Sequence, residues 1–173
     1  MENKTLAILG SSRHDGATAR LLSAVTRCLD AHETVDLNTL AIGPYCYDHG
    51  RAHDDFLPLA EKMQSAEALI FASPVYWYSM SAQMKTVFDR LTDLTEIYKP
   101  TGKALAGKAV FVVATGGSAD APACFIQPFA DTAAYFDMRW GGLFYAPGAD
   151  ALTPAQSTAA RAFADRIAGA SHV

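Results

Sequence analysis

Two stretches of the chain, ALIFA at 68–72 and the apolar run inside GKAVFVVAT at 107–115, are hydrophobic residue after residue instead of alternating with polar positions. An alternating strand buries one face, whereas a continuously apolar strand needs cover on both, as in a parallel sheet held between helices. The rest of the sequence supplies that cover. TLAIL (5–9) is a first strand, followed from about Thr18 by a helix with Leu21, Leu22, Val25, Cys28 and Leu29 at helical spacing. TVDL (34–37) is a short second strand, AIGPYCYDHGRAHDDF (41–56) has no period, and DFLPLAEKMQSAE makes a helix. After SPVYWYS a helix carries Met80, Met84, Val87, Phe88 and Leu91 on one face. Another helix is expected from Pro122 to Phe136, with Pro128 in its first turn or at a kink. RWGGLFYA (139–146) is the fifth strand. TPAQ (153–156) opens the last helix, with Thr153 as N-cap, Pro154 at the first position and Gln156 closing a capping box. The final Ser-His-Val is expected to fray. Five strands alternating with helices predict a doubly wound α/β domain, with no repeat or linker to divide residues 1–173.

Composition narrows the function. A chain of 173 residues fits one domain, and its 50% hydrophobic and 18% charged residues fit a compact soluble protein. The net charge of -4 leaves no basic surplus to neutralise a nucleic-acid backbone, so nucleic acid is not an expected partner. The apolar run at the start is too short for a signal-peptide core, and no later run approaches a membrane span. A cytoplasmic protein with no membrane partner is expected. Cys28, Cys46 and Cys124 are odd in number and form no C-x-x-C pair, which argues against a disulfide framework or a zinc site. Cys28 lies on the apolar face of its helix and reads as core.

In an open parallel sheet, ligands bind beyond the carboxyl ends of the strands, where the strand order reverses. With the common order 2-1-3-4-5 the reversal falls between strands one and three. The loops after strands one, three and four should then be unusual, and they are GSSRHDGAT, SPVYWYS and TGGSADAP. The first is not a Walker A loop: five residues separate Gly10 from Gly16, and Ala17 follows where Lys is required. Nor is it G-x-G-x-x-G, because Ser12 replaces the second glycine. What remains is a strand-to-helix turn with the hydroxyls of Ser11, Ser12 and Thr18, the cation Arg13 and the N–H groups of a helix start. That set suits a terminal phosphate, and it equally suits plain helix capping with Arg13 in solvent. In the second loop, Tyr76, Trp77 and Tyr78 cannot all enter one core layer. At least one should contact a flat ligand, or else cover the helix start or form an oligomer interface. In the third, Thr115-Gly116-Gly117-Ser118 lets the backbone approach a ligand and offers N–H groups to negative charge on a ring edge.

Together, GSSRHDGAT, SPVYWYSMSAQMKTVFDRL and ATGG resemble the NADPH-dependent FMN reductase group of the flavodoxin-like superfamily. The resemblance implies a flavodoxin-like five-stranded sheet of order 2-1-3-4-5 between two helix layers, with FMN as cofactor. The FMN phosphate would sit on Ser11, Ser12, Arg13, Gly16 and Thr18, the isoalloxazine against Pro74, Val75, Tyr76 and Trp77, and the far ring edge near Thr115, Gly116 and Gly117. NADPH or NADH would be the electron donor, and a flavin, quinone or similar planar small molecule the acceptor. The resemblance also implies a homodimer or homotetramer in which the Ser79 to Leu91 helix helps to complete the site. Because the flavin carries the redox chemistry, no catalytic side chain is expected. Lys85, Asp89 and Arg90 match the family's helix pattern, although as residues they read as a salt-bridged or solvated helix face. Some iron-sulfur relatives carry a cysteine cluster in the region of 41–56, where this chain has Cys46 alone, so no cluster is expected. Asp48, His49, His53, Asp54 and Asp55 of that loop read as solvated groups and not as a metal site. Two other functions compete: a flavodoxin-type electron carrier that does not itself oxidise NAD(P)H, and a non-redox binder of a nucleotide or phosphate metabolite.

Overall fold

The computed structural model describes residues 5–51, 53–148 and 151–170. The Ser-His-Val end expected to fray lies outside the described residues. The strands are β1 (Thr5–Leu9), β2 (His32–Asp36), β3 (Ala68–Pro74), β4 (Ala109–Gly116) and β5 (Arg139–Pro147). The helices are α1 (Ala17–Thr26), α2 (Phe56–Ser65), α3 (Ala82–Glu96), α4 (Lys99–Lys103), α5 (Ala123–Tyr135) and α6 (Pro154–Ala170). All five strands are parallel, in the order β2-β1-β3-β4-β5. This is the flavodoxin-like arrangement, with its switch point between β1 and β3.

The continuously apolar runs are the strands buried on both faces. Side chains alternate across the sheet. Leu69, Phe71, Val110 and Val112 therefore enter the layer under α2, α3 and α5, while Ala68, Ile70, Phe111 and Val113 enter the layer under α1 and α6. The first layer is joined by edge-to-face aromatic contacts, with Phe88 5.1 Å from both Phe71 and Phe129 between ring centroids. Pro128 lies neither in the first turn of α5 nor at its end. It takes a place inside the helix, which persists because Phe125, Phe129 and Ala133, four residues apart, are buried on one face.

The glycine pair of β5 makes a bulge. The register passes from Val110↔Trp140 to Phe111↔Gly142, leaving Gly141 as the extra residue. A Cβ at Gly141 would stand 2.3 Å from the Phe111 ring, and Gly142 has φ +109. Beyond the bulge β5 stays paired with β4 as far as Gly116↔Pro147, which brings Tyr145 beside the third loop. At α6 the capping box forms as its sequence implies. The Thr153 N–H donates to Gln156 Oε1 at 2.8 Å, and the Gln156 N–H donates to Thr153 Oγ1 at 3.2 Å. Among the described residues, no helix is long and apolar enough to cross a membrane.

Candidate cofactor site

The loops after β1, β3 and β4 meet at the carboxyl edge of the sheet, where direct hydrogen bonds join them. Ser81, the N-cap of α3, donates from Oγ to the Gly10 carbonyl at 2.6 Å and accepts the Met84 N–H at 3.2 Å. Thr18 Oγ1 and Thr115 Oγ1 lie 2.7 Å apart in a buried pair that ties α1 to the end of β4. The Val75 N–H donates to the Thr115 carbonyl at 2.7 Å, extending the β3–β4 ladder one residue past the strand. Each loop is thus fixed to both of the others.

The five residues expected around a phosphate fall into two groups. Ser12 and Arg13 are exposed, and Gly16 is the N-cap of α1 with no side-chain cap. Ser11 and Thr18 are buried: Thr18, only 2% exposed, directs its hydroxyl to Thr115, and Ser11 Oγ accepts the Arg13 N–H at 3.4 Å. The N–H groups of Ala17, Thr18 and Ala19 have no acceptor among the described residues. An uncapped helix N-terminus flanked by a guanidinium and a hydroxyl is complementary to a dianion. Two side chains that the sequence reading did not assign to the site also stand here. Gln83 Nε2, in the first turn of α3, lies 3.4 Å from both Ser12 Oγ and Asn38 Oδ1, and Asn38 Nδ2 donates to the Ser11 carbonyl. The sequence signals for Gln83 are its place in SPVYWYSMSAQMKTVFDRL and at the start of a helix that faces the crevice.

Trp77 and Tyr78 both have positive φ, 48° and 67°. Tyr76 and Ser79 exchange backbone hydrogen bonds across them at 2.9 and 3.0 Å. This is a reverse turn of the type that ordinarily takes Asn-Gly. Each aromatic residue there costs about 1–2 kcal/mol of backbone strain. The turn leaves Trp77 93% exposed and Tyr78 66% exposed. With Val75, Gly116, Gly117, Ser118, Pro122 and Tyr145 they line a cavity of about 210 Å³. Tyr145 enters from β5, which no loop pattern pointed to. Tyr76 is outside that lining, Pro74 is buried at the end of β3, and Thr115 is buried with its hydroxyl engaged. A larger cavity of about 440 Å³ opens between α3, α4 and the end of α5. It lies toward the amino ends of the strands, so strand polarity and not volume locates the candidate site.

The loop 41–55 behaves differently from its sequence reading as a run of solvated charges. Arg90, only 2% exposed, donates from Nε to Asp93 at 2.7 Å and from Nη1 to Asp54, and reaches the carbonyls of Gly43 at 3.1 Å and Arg51 at 3.2 Å. Its guanidinium lies 4.7 Å from the centroid of the Phe56 ring. His49 Nδ1 is 2.9 Å from Asp93 and its Nε2 is 3.1 Å from Glu96, while Asp55 accepts the Ala41 N–H at 2.6 Å. Asp48 and His53 are exposed. Burial would push the Asp54 carboxyl up, but hydrogen bonds from Arg90 and from the Gly43 and Phe56 N–H groups hold it below its ordinary value. Lys85 and Asp89 remain an exposed pair one turn apart. Among the described residues, no three His, Cys, Asp or Glu side chains are grouped to hold a metal ion.

A family model described as NADPH-dependent FMN reductase matches residues 3–138. An iron-sulfur flavoprotein of Archaeoglobus fulgidus is 31% identical over 136 residues, which is 72% of this chain and 60% of that protein. An iron-sulfur flavoprotein of Methanocaldococcus jannaschii is 30% identical over 125 residues, 66% of this chain and 65% of that one. The chain therefore spans less than two thirds of the length of these two relatives. In fold, it is similar to general stress protein 14 of Treponema denticola, solved in complex with FMN. The TM-score is 0.65 at 20% identity, with 98% of each chain covered.

Proposed function

The chain belongs to the NADPH-dependent FMN reductase family, and on that premise we propose that it is an FMN-dependent NAD(P)H oxidoreductase serving a planar acceptor such as a flavin or quinone. The observation that carries this reading is the uncapped start of α1. The Ala17, Thr18 and Ala19 N–H groups, with no acceptor among the described residues, stand beside exposed Ser12 and Arg13. This donor set fits the terminal phosphate of FMN, and residues 1–173 are read as one FMN-binding unit.

FMN held here would supply the redox chemistry, by which the hydride of NAD(P)H and one proton from solvent reduce a two-electron acceptor. The chain binds and orients. Arg13 neutralises phosphate charge, and Ser12, held near Gln83, adds a hydroxyl. Val75 and Trp77 wall the place for the ring, with the backbone of Gly116 and Gly117 at its far edge. Thr18 and Thr115 act from behind, since their buried hydroxyls fix the first and third loops to one another, and the Ser11 hydroxyl accepts the Arg13 N–H within the first loop. Pro74 sets the end of β3, and Tyr76 closes the turn that presents Trp77.

The test is anaerobic addition of NADPH, and separately NADH, to the FMN-loaded protein. Rapid loss of the flavin's yellow absorbance is the expected result. Colour that persists with both nicotinamides but is lost with dithionite would identify an electron carrier without NAD(P)H oxidation.

A further inference from the structure

Tyr145 is the one residue in the cavity lining that comes from β5, and it acts on the backbone of the third loop. The Gly116 carbonyl accepts the Gly148 N–H at 2.9 Å. Two residues on, the Ser118 carbonyl accepts the Tyr145 hydroxyl at 2.6 Å. The Gly116 carbonyl is thus turned toward the end of β5, and the Ser118 carbonyl toward the phenol of Tyr145 in the cavity lining. In a trans peptide the N–H points opposite to the carbonyl. The Gly117 N–H, on the peptide of the Gly116 carbonyl, therefore points the other way, toward the end of β3 and Val75, and Gly117 lines the cavity. It has no acceptor among the described residues.

The fit is close enough to dictate Gly116. A Cβ there would stand 2.8 Å from the Tyr145 hydroxyl oxygen and 3.2 Å from Val75 Cβ. Burial pushes the Tyr145 phenol up, and the charge of Asp120 adds to the effect. The hydroxyl keeps its proton at neutral pH and remains a donor.

We propose that Tyr145 is a positioning residue. Through the Ser118 carbonyl it fixes the backbone that follows Gly117, so that the Gly117 N–H is held where it favours the electron-rich ring of reduced FMN over the oxidised ring. The proposal rests on the reading of the crevice as an FMN site. Fixed donors aimed at developing charge stabilise it more than donors that must first reorient. Loss of the hydroxyl alone should loosen the loop and leave the phosphate contacts intact.

The experiment measures the affinity for oxidised FMN and the two-electron potential of the bound flavin in the wild-type chain, Tyr145→Phe, Gly116→Ala and the double variant. Tyr145→Phe should change oxidised-FMN affinity by less than about threefold. It should lower the ratio of reduced to oxidised affinity about tenfold, which is a fall of about 30 mV for a two-electron couple. Gly116→Ala should displace the phenol and give a shift of similar size. The double variant should add nothing further, because both changes break the same contact. A potential that stays at the wild-type value in Tyr145→Phe, with only a lower melting temperature, would reduce the residue to packing and overturn the proposal. Shifts that simply add in the double variant would overturn it as well. A wild-type chain that binds no FMN would bring down the crevice reading and this proposal together, whereas normal FMN binding with an unmoved potential defeats this proposal alone.

Discussion

The loop 41–55 and the crevice both border α3, and their polar groups meet opposite ends. In the loop, charged side chains satisfy one another: Arg90 takes Asp54, Asp93 and two carbonyls, and His49 lies between Asp93 and Glu96. In the crevice, hydroxyls and carbonyls lock three loops together, while backbone N–H groups at the start of α1 and in the third loop are left for something else to bind. The loop reads as solvated charges in the sequence and is a clasp in the fold. The crevice has few titratable groups and keeps N–H donors and a cavity open, which suits the proposed FMN site, where the cofactor would carry the chemistry.

Breaking the clasp should have the largest effect. Arg90→Ala leaves Asp93 and Asp54 without their cation, and the chain is expected to lose about 3–5 kcal/mol in denaturant unfolding. FMN affinity below the unfolding transition should stay within tenfold. Weaker FMN binding at unchanged stability would reverse the roles assigned to the two regions. Arg13→Ala is the mirror experiment. It should weaken FMN binding by about 1.5–3 kcal/mol through loss of a charge-assisted contact, and stability should stay within about 0.5 kcal/mol, as for an exposed residue.

Thr18→Val sharpens the comparison inside the crevice. It leaves the buried Thr115 hydroxyl without its partner, so stability should fall by about 1–3 kcal/mol. If Thr18 touched phosphate directly, binding would suffer and stability would not. Trp77→Gly should raise stability by about 1 kcal/mol by relieving a positive φ, and thermal unfolding reads this directly. The turnover of a planar acceptor should fall at the same time. The smallest effect expected is that of acid. The folded pKa of Asp54 lies below its unfolded value, so the unfolded chain binds the proton first as pH falls. The stability from this carboxyl is complete above the ordinary carboxylate range and is lost as pH falls through the folded pKa. Asp54→Asn should flatten that part of the stability–pH curve.

The sheet was legible because β3 and β4 are apolar without alternation, which leaves few alternatives to a covered parallel sheet. The three crevice loops followed from strand polarity. The short α4 (KPTGK) and the 3₁₀ turn at Leu37–Thr39 have too few residues to show a period. Thr18 illustrates a harder limit. A threonine in the first turn of a helix reads alike whether it faces a ligand or the protein, and its partner Thr115 is 97 residues away. Arg90 left a trace, since its spacing from Val87 and Leu94 puts it on the apolar face of α3. A charge there requires buried partners, and those came from a loop with no period. Tyr145 was hidden for a related reason: its role depends on the bulge at Gly141, which sets the register of β5 against the third loop.

The most direct test of the central claim is a titration of the chain with FMN and, in parallel, with riboflavin, which has the same ring and no phosphate. If the start of α1 is the phosphate site, FMN should bind at least about a hundredfold more tightly, the worth of one or two charge-assisted hydrogen bonds. Equal affinities would mean that the loop Gly10–Gly16 holds no phosphate, and the assignment of the crevice would be wrong.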